Sequence, residues 1–344
     1  MRFSVIIPLF NKSQYVFKAI ESVLNQTYQD YELIVVDDGS SDDSFSVARS
    51  VLEKCEIQYQ LIHQENAGVS TARNNGVIAS CGEFLCFLDA DDWWAPSFLE
   101  RMNELILEYP EAGIYGTNYY YVKNGRQSVC VTTAETGYIN YCSVYAEKFQ
   151  MPLWTGAVCI PHIVFNEFGG FRSHLKLGED FDLWIRIALK YKVAFLNEPQ
   201  SFYFQDSDAT WRLVGKLHDP HTHMLWNLEY LSQEELINPD FKKLIDGLRT
   251  YSLLPYYLSN EYRDRARTEL DKVDWSKQPK RVQSLYKQPV FVLKCRRFIL
   301  KCVESLRGMF ISAKKYSIKS FCSQNASARA VLRSNYQPFR ELRI

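Results

Sequence analysis

No CxxC pair occurs among the nine cysteines, and their odd number and scatter from Cys55 to Cys322 exclude a disulfide framework; they read as reduced core thiols. No run of 18 apolar residues is present, so no membrane-spanning helix is expected. Met1-Arg2 leads directly into the short strand-like run Phe3 to Pro8 instead of a longer apolar stretch with a cleavage site, so no secretory leader is expected and a cytoplasmic location is. Glycine is missing from Leu9-Phe10-Asn11-Lys12, the loop after that run, which argues against a GxGxxG dinucleotide-dependent oxidoreductase. Acids are scarce near the end: from Lys277 to Ile344 there are 16 Lys and Arg against Glu304 and Glu341, a local charge of +14. The totals of 40 bases and 40 acids therefore leave 24 and 38 in the first 276 residues, a charge of −14. An acidic body with a basic tail points to a contact with an anionic surface.

What is present is a core. The 344 residues are 47% hydrophobic, enough for one sizeable α/β unit with an appended C-terminal part. Over the first 115 residues, short β-branched runs alternate with amphipathic stretches, which predicts a mostly parallel sheet wrapped by helices. Residues 4–8, 32–36, 57–62 and 84–88 read as strands, the last apolar throughout and so central. Residues 14–25, 45–52 and 69–79 read as helices, and Pro96 opens another that ends near Tyr109. Two Tyr/Val-rich runs around Asn124-Gly125 predict a hairpin, and Asp180 to Tyr191 predicts a helix with Trp184 on its apolar face. From about residue 212 helical stretches dominate.

Four segments could carry chemistry. Asp37-Asp38-Gly39-Ser40 follows a strand, where open α/β sheets bind ligands; a carboxylate there suits base N–H or ribose hydroxyl groups, and equally suits a capping turn. In Asp89-Ala90-Asp91-Asp92, two carboxylates one residue apart at a strand end can approach one hard cation beside phosphate oxygens. The alternative is an acidic helix cap, which mutual repulsion among three carboxylates disfavours. Gly178-Glu179-Asp180 opens a helix, where the dipole holds a carboxylate ionised as a proton acceptor, although acids in a first helical turn are ordinary. Arg73, one turn into the helix after Gln64 to Ser70, can pair with phosphate or form a surface salt bridge. His218, His221 and His223 read as a solvated loop, with completion of a metal site as the sharper alternative.

Taken in order, SVIIPLFN, VDDGSSDDS, NAGVSTARN, FLDADDWW and GEDFDLWIR resemble the family 2 glycosyltransferases of GT-A fold, over about residues 3–205. The resemblance implies a GT-A domain at 1–210, Rossmann-like with a mostly parallel sheet, followed by a helical, basic region at 211–344. It implies an inverting transfer of sugar from a nucleotide diphosphate to an acceptor hydroxyl. Pro8, Asp38, Arg73 and Asp89 would serve nucleotide-sugar binding, Asp89 and Asp91 would match the DxD pair holding Mn²⁺ or Mg²⁺ with Asp91 the more direct ligand, and Asp180 would be the catalytic base. Trp154, with Glu179, would line the acceptor side. The QxxRW signature of processive synthases is absent, so one sugar per encounter is implied. The associated expectation is surface polysaccharide or glycoconjugate assembly on a glycan or lipid-linked acceptor. The rival readings are a catalytically silent sugar-nucleotide or glycan-binding protein and a sugar nucleotidyltransferase, the latter disfavoured by the glycine-free loop. Basic, apolar-interleaved residues 289–321 fit a helix on an anionic bilayer, hence a peripheral position at the inner face of the cell membrane; packing on the body or a homo-oligomer contact is the alternative. No nucleic-acid motif accompanies the charge.

Overall fold

The computed structural model describes residues 1–206 and 217–295; the expected membrane-surface stretch lies mostly outside them. Ten strands form one mixed sheet. The parallel half is built from β1 (Phe3–Leu9), β2 (Tyr31–Asp37), β3 (Tyr59–His63) and β4 (Phe84–Phe87), in the spatial order β3-β2-β1-β4. Every residue of β1 and β2 is buried, as expected for strands covered on both faces. Between them run α1 (Val16–Leu24), α2 (Ser44–Leu52) and α3 (Val69–Ile78). α1 buries Val16, Ala19, Ile20 and Val23, the stripe that its 3.6-residue spacing predicts. Gly76 lets α3 lie close on the sheet, since a Cβ there would stand 2.5 Å from Ile6 Cγ2.

Past β4 the sheet becomes mixed. β9 (Val158–Pro161) pairs antiparallel with β4 and with β6 (Ala112–Lys123), and β6 runs parallel to β10 (Lys192–Phe204). The two-residue β5 (Trp93–Trp94) and β8 (Gly137–Ile139) pair antiparallel with β10. The hairpin at Asn124-Gly125 forms between β6 and β7 (Arg126–Val129), with both turn residues at positive φ. Helices α4 (Phe98–Glu108), α5 (Tyr141–Lys148), α6 (His162–Glu167) and α7 (Glu179–Ala188) complete this part. The expected helix at 180–191 is α7, whose Phe181, Leu183, Trp184, Ile185 and Ile187 are buried.

The later helices α8 (Ser232–Ile237), α9 (Pro239–Ser252), α10 (Leu254–Leu258) and α11 (Arg263–Leu270) belong to the first of two compact units, which runs from Met1 to Gln278. That unit continues beyond residue 210 because Phe241, Leu244, Ile245 and Tyr256 share one apolar core with Trp184 and Phe181. Arg249, 1% exposed, joins Glu235 on α8 to Glu269 on α11. The second unit, from Pro279, includes α12 (Lys280–Tyr286). Among the described residues no helix is long and apolar enough to cross a membrane.

Candidate functional site

The carboxyl ends of β1, β2 and β4 open into a cleft of about 830 Å³. Pro8, Asp38, Arg73, Asp89, Asp91, Trp154, Glu179 and Asp180 all line it, so residues far apart in the chain are brought together there.

The turn after β2 is a scaffold. Asp38 Oδ1 accepts from Gln64 Nε2 at 2.7 Å and from the Ala67 amide at 2.8 Å, and its Oδ2 accepts from the Gly68 amide at 2.9 Å. The carboxylate thereby fixes the 64–68 loop ahead of α3. Asp37 is fully buried: its Oδ2 meets His63 Nδ1 at 2.7 Å, and its Oδ1 has no partner among the described residues. Ser40 and Ser44 reach back to the loop after β1, accepting from the Asn11 amide at 3.0 Å and the Lys12 amide at 2.7 Å. Asn11 takes a positive φ of 50°, and Lys12 is aimed across the cleft.

Lys12 was not singled out from sequence. Its Nζ donates to Asp91 Oδ2 at 2.6 Å, with both side chains only 17% exposed. Asp89 Oδ1 accepts from Arg73 Nη2 at 2.7 Å. The third acid of the group differs in kind, because Asp92 is 1% exposed and accepts from the Phe204 amide at 2.8 Å and from Trp154 Nε1 at 3.1 Å. Burial, then the charges of Asp91 and Asp89, push the Asp92 carboxyl well above its ordinary range. It ties the DxD turn to β10 and to Trp154. The Trp154 ring meets Tyr203 at 3.9 Å between centroids, so one of its faces is already covered.

Arg73 joins the two sides of the site. Its Nη1 reaches Glu179 Oε1 at 3.1 Å while Nη2 holds Asp89, and Nε is buried without a partner among the described residues. Burial works against the guanidinium's charge, but Asp89 and then Glu179 outweigh it, so it stays cationic. Gly178, at φ 81°, turns the chain into α7 and sets Glu179 and Asp180 in its first turn. Burial, followed by the Asp180 charge, pushes Glu179 up to about 7 against the pull of Arg73. Asp180 accepts from the Phe181 amide at 2.7 Å and from Thr155 Oγ1 at 3.1 Å. Its carboxyl is raised by burial, which Arg73 opposes.

The histidines correct the solvated-loop expectation in part. His221 is exposed, but His223 is 4% exposed and lines the cleft. A bridge pairs Leu177 with His223 just before Gly178, and His223 Nδ1 accepts from the Leu225 amide at 3.1 Å. Burial, with His218 adding, lowers its imidazole to about 4, so it is neutral at physiological pH. Among the described residues no three His, Cys, Asp or Glu side chains cluster as a ready-made metal cage.

Comparison with known proteins places this geometry. The family described as "Glycosyl transferase family 2" matches residues 4–172. An uncharacterized glycosyltransferase of Rickettsia felis is 29% identical over 260 residues, spanning 73% of this chain and 42% of the relative. Glycosyltransferase GlyA of Streptococcus pneumoniae is 37% identical over 121 residues, 35% of this chain and 17% of that protein. The chain thus spans less than half the length of either relative. Among solved structures, S. aureus TarS 1-349 in complex with UDP-GlcNAc matches with a TM-score of 0.66 and 18% identity over 83% of each chain. That likeness establishes the GT-A fold.

Proposed function

Because residues 4–172 belong to glycosyl transferase family 2, we propose that the chain transfers a sugar from a nucleotide diphosphate to an acceptor hydroxyl, by one in-line displacement that inverts the anomeric carbon. The observation that carries this reading is the convergence of Asp38, Asp89, Asp91 and Asp180 on one cleft, with Arg73 joining the DxD turn to the first turn of α7. Pro8 and Asp38 form the nucleotide end, and Arg73 stands beside the diphosphate. Asp180 accepts the proton of the attacking hydroxyl as the new bond forms, through a transition state with oxocarbenium character. Thr155 and the Phe181 amide orient its carboxylate, and Arg73 favours the ionised form that proton acceptance requires.

Asp89 and Asp91 suit a hard divalent cation, Mn²⁺ or Mg²⁺. They are oxygen donors one residue apart, and each engages a side-chain cation through a single oxygen. Such an ion, when bound, supplies counter-charge for the diphosphate leaving group. The basic stretch from residue 277 would rest on the anionic inner face of the cell membrane, where the enzyme would assemble surface polysaccharide or glycoconjugate.

Asp180→Asn is expected to abolish transfer while nucleotide affinity stays within about twofold, since the amide keeps the shape and loses the basicity. Turnover by that variant at the wild-type rate would remove Asp180 from the mechanism.

A further inference from the structure

The lining of the cleft is chemically lopsided. Lys12, Asp38, Arg73, Asp89 and Asp91, at the ends of β1, β2 and β4 and the start of α3, carry charges of both signs. A second part carries none: Tyr145 on α5, Met151, Trp154 and Thr155 ahead of β9, and Leu248 and Ser252 on α9. All of these but Thr155 are partly exposed, so their surfaces are available to a ligand. This uncharged wall adjoins the base. Thr155 donates to Asp180, and the Tyr145 ring packs edge-to-face on Phe181 with centroids 5.7 Å apart.

The wall is also rigid. At Gly247 a Cβ would lie 1.9 Å from the Phe149 ring, so α9 packs there with no room to spare. Asn140 at the start of α5 donates to Asp240 on α9 at 2.7 Å. Because α9 follows residue 172, this surface is partly contributed from outside the segment that matches the family.

Charge decides what such a wall accepts. Among the described residues, Lys12, Arg73 and Lys176 face Asp38, Asp89, Asp91, Glu179 and Asp180 in the lining, three basic side chains against five carboxyl groups. Lys12 and Arg73 are already paired with acids, and Lys176 is exposed. A diphosphate donor adds further negative charge, which a divalent ion at Asp89 and Asp91 would offset at that end of the cleft and not at the wall. An anionic group brought to the uncharged wall would meet Asp180 and Glu179, and among the described residues the cation beside them, Arg73, is already engaged by Glu179 and Asp89.

We propose that the acceptor is an uncharged hydroxyl compound that lays an apolar face on the Tyr145–Met151–Leu248 wall, either the C–H face of a neutral hexose or the alkyl portion of a neutral glycolipid. This rests on the transferase reading above. The test uses the full chain and four probes: methyl β-glucoside, octyl β-glucoside, octyl β-glucuronide and methyl glucoside 6-phosphate. Affinities are measured by saturation-transfer NMR. The neutral member of each pair should bind at least about tenfold tighter than its anionic partner, the scale of one poorly screened like-charge contact. Tighter binding of the octyl than the methyl glucoside assigns the wall to the alkyl portion, and equal binding assigns it to the sugar face. Ser252→Lys, at a partly exposed position, should reduce the neutral preference at least threefold. Equal or tighter binding of an anionic probe, or binding of none of the four, overturns the inference. Nucleoside diphosphate binding, measured calorimetrically on the same sample, separates the failures: its absence would sink the transferase reading, and its presence confines the failure to the acceptor.

Discussion

At the residue scale, the contacts that matter most join positions far apart in sequence. Lys12 and Asp91 are 79 residues apart, and the motif containing each gives no sign of the other. The Lys12 ammonium neutralises an acid that the proposed divalent ion would also use, so the two cations would compete. Lys12→Met should therefore raise Mn²⁺ affinity in the absence of nucleotide by about tenfold, as expected for removing a partly buried ion-pair competitor. Calorimetric titration with Mn²⁺ alone checks this, and equal affinity in both proteins would remove Lys12 from metal binding. His223 gives a pH signature. Its folded pKa of about 4 lies below the ordinary value of 6.5, so the unfolded chain binds the proton more readily. The stability tied to neutral His223 is present above pH 6.5 and is lost as pH falls towards 4. Two and a half units correspond to roughly 3 kcal/mol. His223→Asn, which keeps an acceptor for the Leu225 amide, should lose that much less stability over this window, as read from urea melts at pH 7 and pH 4.

At the element scale, periodicity served well where contacts are local and poorly where they are not. β1, β2, β4, the hairpin and α7 were legible because a short apolar run, turn chemistry and a helical stripe each arise within a dozen residues. β10 was not, since its thirteen residues include Pro199 and register shifts, and its partners β5, β6 and β8 come from distant segments. The α5 and α9 wall was equally hidden, because nothing in either helix names the other. Candidate site residues followed the same rule: motif order brought Asp38, Asp89, Asp91 and Asp180 into view, whereas the places of Lys12 and Tyr145 and the burial of His223 depend on where the chain returns. Among these elements, Arg249 fastens α9 to α8 and α11 through Glu235 and Glu269. Arg249→Met should cost about 3–5 kcal/mol in urea unfolding, because it strands buried acids. A loss below about 1 kcal/mol would mean that these carboxylates relax into solvent.

At the scale of the whole molecule, the first compact unit closes at Gln278, whereas charge changes sign at about the same place, residue 277. A chain ended after Gln278 should fold and bind nucleoside diphosphate within about twofold of the full chain, since each compact unit has its own internal contacts. It should no longer sediment with vesicles containing anionic lipid, whereas the full chain should. If the full chain never sediments with them, the basic region acts on protein surfaces instead.

The bridge between Leu177 and His223 has a practical implication for anyone who treats the nucleotide-binding half as a portable module. His223, Met224 and Leu225 form part of the cavity floor, and Met224 Cβ stands 3.1 Å from where a side chain on Gly178 would begin. A graft cut at the last sheet strand would carry every signature motif and still leave Asp180, the proposed proton acceptor, behind a turn that has lost its bridge to His223. Transplanting the proposed activity would mean moving the returning segment together with the motifs.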